Sequence, residues 1–111
     1  MLYKFKSKAT GDLIMLQPHG QHILEIIGKH TPDVPSTQGI LLPQDMPAAL
    51  QALQAAIHAE EQTRAQAVAQ AQAEHLPEPR FDTVSLRQRA HPFMDMLQHC
   101  LREEVPVVWG V

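Results

Sequence analysis

His91, Asp95 and His99 recur every four residues near the end of the sequence. On a helix that spacing stacks them along one face. Imidazole and carboxylate together are a donor set for a divalent metal. The geometry limits the site, because His91 and His99 would stand ~12 Å apart along the axis. One ion would take at most two of the three and would need ligands from elsewhere. The plainer account is a solvated helix face with an Asp95–His99 pair worth a few tenths of a kcal/mol. His19 and His22, three residues apart, form a second candidate pair with His30 nearby, and seven histidines are many for 111 residues. The plain reading is favoured here too. The metal candidates are thus His19, His22, His91, Asp95 and His99.

Cys100 follows His99 directly, but neighbouring helical residues point ~100° apart and cannot form a thiolate–imidazole pair. Cys100 also falls on an apolar stripe, which predicts a buried, inert thiol. A single cysteine excludes an intramolecular disulfide. Lys4, Lys6 and Lys8 alternate along an extended segment. They would suit a phosphate backbone, or an edge strand guarded against pairing with other chains. Arg87, Arg89 and Arg102 form a second basic group. The formal net charge of −3 and the lack of aromatic residues interleaved with these cations argue against nucleic acid. No phosphate loop, nucleophile–base–orienter set or metal-ligand spacing stands out, and no cofactor is expected.

The elements that must carry these residues are readable from their periodicity. Residues 2–7 alternate, with Tyr3 and Phe5 on one side and Lys4 and Lys6 on the other. Residues 9–12 read as a turn in which Gly11 can take positive φ. Leu13, Ile14, Met15 and Leu16 follow as a strand apolar on both faces, expected to be the more buried of the hairpin. Pro18 suits the first turn of a helix over residues 19–27, which Gly28 stops. Residues 31–38, with Pro32 and Pro35, read as loop, and residues 39–42 as a short strand closed by Pro43.

Asp45 is the expected N-cap of a second helix, with Pro47 in its first turn. Met46, Leu50, Leu53 and Ile57 form its apolar stripe. Beyond them the same stripe reads Glu61, Arg64 and Val68, so the Ala/Gln-rich stretch has no core face of its own. A helix from residue 46 to 75 would run ~45 Å, longer than a domain of this size is wide. The segment must project, fray or pack on another chain. Residues 76–79 read as a stiff linker and 81–84 as extended. Ser85 and Gln88 fit a capping box. Leu86, Ala90, Phe93, Leu97, Cys100 and Leu101 form the stripe of a third helix, with a kink expected at Pro92. The apolar tail of residues 105–111 is expected to dock as an edge strand, where Pro106 is tolerable. Trp109 in it suits a core anchor or an interface hot spot.

The resulting fold class is α+β: one domain over residues 1–111, in the order β-β-α-β-α-α, with a small sheet against three helices. A projecting or flexible segment is expected around residues 62–79.

The order of certain blocks resembles a known family. They are Tyr3 to Ala9 running into Gly11-Asp12-Leu13-Ile14-Met15-Leu16, then Gly39-Ile40, Asp45-Met46-Pro47-Ala48-Ala49, and Val84-Ser85-Leu86-Arg87-Gln88-Arg89-Ala90. Together they are similar to the small bacterial proteins grouped as domain of unknown function family 1840, over nearly the whole chain. The resemblance implies a bacterial cytosolic protein and carries no catalytic residues across.

No apolar run approaches the ~20 residues that span a bilayer, and the N-terminus lacks the apolar core of a signal peptide. The cytoplasm is therefore the expected compartment. With no chemistry gathered in the sequence, the leading expectation is a non-enzymatic interaction or accessory module that self-associates as a homodimer. A small histidine-based metal-binding protein comes second, and an enzyme third.

Overall fold

A computed structural model of the protein describes residues 2–30, 37–81 and 84–110. The chain runs β1 (Leu2–Lys6), β2 (Leu13–Leu16), α1 (Gln17–Ile26), β3 (Gly39–Leu41), α2 (Met46–Ala73), α3 (Leu86–Glu103) and β4 (Val107–Trp109), with a 3-10 turn at Pro43–Asp45. The architecture is α+β in the expected order. The loop expected over residues 31–38 lies outside the described residues except for Thr37 and Gln38. The extended reading of 81–84 is likewise outside them at residues 82 and 83, and neither Phe81 nor Val84 belongs to a strand.

The four strands form one antiparallel sheet in the order β2-β1-β4-β3. Its inner face carries Tyr3, Phe5, Met15, Leu41, Val107 and Trp109, all buried. Phe5 is the centre of an aromatic group, with ring centroids 4.9 Å from Phe93 and 5.8 Å from Trp109. Trp109 is therefore a core anchor. Gly39 lies opposite Trp109 in the ladder, and a Cβ there would stand 2.5 Å from the indole ring. Glycine at that position is what lets the indole lie across the neighbouring strand.

Two strand expectations are corrected. The C-terminal strand is not at the edge, because β4 pairs with β1 on one side and β3 on the other. Pro106 stops one residue short of it, so every β4 residue keeps its N–H, and Val107 and Trp109 supply the apolar side chains of an inner strand. Nor is β2 the more buried strand of the hairpin. It is an edge strand with Met15 buried and Ile14 and Leu16 exposed. It follows that Lys4 and Lys6 do not guard an edge. They emerge from inner strand β1 on the outer face of the sheet, where Lys4 Nζ lies 3.6 Å from Asp12.

The helices pack on the inner face of the sheet. In α1, Gly20 lies directly against the ring of Tyr3, while Ile23 and Leu24 enter the core. Gly28, at φ +80°, ends the helix as expected, and the Lys29 N–H reaches back to the Leu24 carbonyl at 2.8 Å. Gly11, by contrast, is not among the positive-φ glycines. Helix α2 buries Met46, Ala49, Leu53 and Ile57, and Leu50 is half-buried. Asp45 does not cap it by side chain. The preceding 3-10 turn, closed by Asp45 N–H to the Leu42 carbonyl at 3.0 Å, leads straight into the helix and leaves Asp45 helical rather than extended. In α3, Ser85 accepts the Gln88 N–H at 3.2 Å. The return bond runs from the Ser85 hydroxyl to Gln88 Oε1 at 3.2 Å, rather than from the Ser85 amide. Pro92 lies within α3, and Leu86, Ala90, Phe93, Met96, Leu97 and Cys100 form its buried stripe.

Helix α2 continues without a break to Ala73. Its last three turns pass beyond the start of α3, and the molecule measures 52 × 28 × 25 Å. The returning chain runs beside this portion: the Leu76 N–H bonds the Ala71 carbonyl at 2.8 Å, and the Phe81 ring lies 4.7 Å beneath the Arg64 guanidinium.

Candidate functional site

The candidate metal ligands do not converge. His91 and Asp95 are exposed on α3, with His91 Nε2 3.3 Å from the Asp95 carboxylate. This corrects the expected Asp95–His99 pair: His99 instead meets Arg102, with Nη2 to Nδ1 at 2.8 Å. The two histidines sit on either side of Asp95, and Arg102 holds the second. His19 and His22 are on α1, and His22 meets Arg89 of α3. Among the described residues no group of three or more His, Cys, Asp or Glu side chains is placed to share a metal ion. Cys100 is buried and donates to the Ser7 hydroxyl at 2.9 Å.

The best-connected polar group was not visible in the sequence, because its members lie far apart in the chain. Glu60 of α2 accepts the Leu86 N–H at the start of α3 at 2.8 Å. It also lies 3.5 Å from Arg64 and 3.8 Å from Arg89. Arg89 in turn reaches His22 Nδ1 of α1 at 3.3 Å. A guanidinium only donates, so His22 Nδ1 is the acceptor. Beside this group, Arg87 grips Glu61 through two nitrogens at 2.7 and 3.1 Å. The hydrogen bond from Arg87 holds the Glu61 carboxyl below its usual value, and Glu61 raises Arg87 in return. These contacts tie the three helices together. They present no open acid–base pair to a substrate.

A groove of about 490 Å³ separates the β1–β2 turn from α3 and includes Thr10, Asp12, Asp95 and His99. Its carboxylates are already engaged, Asp12 by Lys4 and Asp95 by His91.

The outer face of the sheet is different, because no described helix packs on it. Register places Leu2 beside Leu16, Lys4 beside Ile14, Lys6 beside Val108 and Val108 beside Ile40. Leu2, Ile14 and Leu16 retain 58, 56 and 59% of their surface, and Ile40 44%. The face is therefore apolar, with Lys4 and Lys6 in its middle. The alternation of Leu2 to Lys6 was the signal for it, but an apolar β2 reads equally well as a strand buried on both sides.

Fold and surface together define a one-sided α+β sheet protein, with helices on one face and an apolar, lysine-bearing face on the other. The chain belongs to the DUF1840 family: the family model, described as a domain of unknown function, matches residues 1–109. No curated protein and no solved structure matches the chain.

Proposed function

We propose that the protein is a non-enzymatic interaction module that self-associates, using the outer face of its sheet, in the bacterial cytoplasm that the family resemblance implies. The observation that carries this reading is the group Leu2, Ile14 and Leu16 left open on the β2 side of that face, with Ile40 exposed on the opposite edge strand beyond the lysines. A sheet with only one face covered normally presents polar residues on the other. Contiguous exposed aliphatic side chains mark a contact surface. Two further features support it. The edge strand β2 is Leu-Ile-Met-Leu, with none of the charges, prolines or bulges that usually block an edge. The polar groups on the helices engage one another, Glu60 with Arg89, Arg89 with His22 and Arg87 with Glu61, although Arg89 Nε is buried without a hydrogen-bond partner.

The test is molecular mass in solution. Light scattering over a wide concentration range should give two chains for the parent protein. The double variant Ile14→Thr, Leu16→Thr places β-branched side chains suited to a strand at both positions while reducing the apolar surface. It should give one chain with an unchanged circular dichroism spectrum. A parent that stays at the mass of one chain throughout would refute self-association.

A further inference from the structure

The lysines that alternate at the start of the chain have different surroundings. Lys4 lies 3.6 Å from Asp12. Among the described residues, neither Lys6 nor Lys8 meets a carboxylate. Both line one hollow of about 460 Å³, between the end of β1 and the residues that lead into β4. Asp12 reaches the same hollow, but Lys4 already matches its charge. Lys6 and Lys8 therefore bring two unmatched positive charges to one space.

Ser7 adds a third donor. Its Oγ accepts the Ala9 N–H at 3.2 Å and the Cys100 thiol at 2.9 Å. Both lone pairs of the hydroxyl are then in use, and its own proton remains to be donated. Ser7 lines the hollow with the two lysines, and among the described residues no acceptor takes that proton. The other wall is apolar, made by Val105, Pro106 and Val108, each half-buried. Pro106 has no N–H to offer. A few polar groups set against an apolar wall are the make-up of a small-molecule site, and the volume lies within the ~300–1,000 Å³ that such sites occupy.

We infer that this hollow binds a soluble phosphate monoester with a compact apolar body. A monoester head carries roughly −1.5 to −2 charge and three acceptor oxygens. It matches two ammonium groups and one hydroxyl, both in charge and in donors. A carboxylate brings a single charge and leaves one lysine unmatched. Lysine binds phosphate as a point charge and needs no planar fork. The apolar body of the ester lies on Val105, Pro106 and Val108, whereas the two long chains of a phospholipid exceed the hollow. The site goes beyond the self-association proposed above, because Lys6 lies at the opposite end of β1 from Leu2, ~13 Å away at strand rise.

Calorimetry on the full chain at low salt, with phenyl phosphate as the probe, tests this, and NMR locates the site. Phenyl phosphate should bind saturably with a dissociation constant below ~1 mM. Benzoate, which changes the head, and inorganic phosphate, which lacks the body, should each bind at least ~10-fold more weakly. Lys6→Gln with Lys8→Gln should weaken binding at least ~10-fold. Lys29→Gln with Arg80→Gln, the same charge change elsewhere, should leave it unaltered. Amide shifts should move at Ser7, Lys8, Val105 and Val108. No saturable binding, equal binding by benzoate, equal loss in the control pair, or shifts confined to other residues would each overturn the assignment. Phosphatidate vesicles should not retain the protein, and retention would overturn a soluble ligand. Should the lysine variant lose its circular dichroism signal, the shift map on the parent decides alone.

Discussion

Leu97 and Phe93 lie fully buried on α3, against the aromatic group centred on Phe5. Truncating Leu97 to alanine leaves a cavity the sheet cannot close, and should cost ~2–5 kcal/mol. Thermal unfolding checks this: a shift of under a couple of degrees would mean the side chain is not in the core. Gly20 makes an opposite kind of prediction. Alanine normally favours a helix over glycine by ~1 kcal/mol, yet a Cβ at residue 20 would meet Tyr3 ring carbons at 2.5 and 2.8 Å and its Cβ at 2.9 Å. Overpacking of that kind costs ~1–3 kcal/mol, so Gly20→Ala should lower the melting temperature. A rise would show that Tyr3 yields freely. Glu61 gives a pH-dependent prediction. Its folded value is depressed by Arg87, so its stabilising contribution is complete above the ordinary value of 4.5 and is lost as pH falls through the folded value. In Arg87→Ala the Glu61 carboxyl, followed by NMR, should titrate closer to 4.5. An unchanged midpoint would mean the ion pair does not persist in solution. The histidines should bind zinc no better than weakly, because His91, Asp95 and His99 spread along one exposed face and Arg102 holds His99. Calorimetry showing sub-micromolar binding, lost in a His91→Ala, His99→Ala variant, would contradict this.

At the scale of elements, the sequence was most readable where one physical rule governs alone. The 3.6-residue stripe through Leu86, Ala90, Phe93 and Leu97 needs nothing beyond helix geometry, and Ser85 and Gln88 mark its start. Gly28 marks the end of α1 for an equally local reason, its left-handed conformation. The errors arose where position in the sheet mattered. An apolar four-residue strand reads the same whether its second face is covered by protein or left open, so β2 reads as an inner strand and lies at the edge. Pro106 suggested an edge for the tail, but it lies one residue outside β4. The Glu60–Arg89–His22 connection joins residues from three helices and has no local spacing to betray it. Likewise, Asp45 has the right type for a cap, but the 3-10 turn before it fixes a backbone that does not aim the carboxylate.

For the whole molecule, the decisive features are a sheet covered on one side and a helix that outruns the body. Helix α2 keeps its core stripe only through Ile57. Of its later residues only Ala71 is buried, next to the returning chain. Alone, so short an extension is only marginally helical in water, and a second chain would give it a packing partner. Self-association as proposed would give a partner to two otherwise separate features, an uncovered apolar face and an extended tip. The most direct measurement removes the tip: residues 62–79 are replaced by a short Gly/Ser linker joining Glu61 to Arg80, and the mass is compared with the parent by light scattering. Two chains are expected for the parent and one for the shortened protein, with the core fold retained by circular dichroism. Equal chain numbers in the two proteins would contradict it.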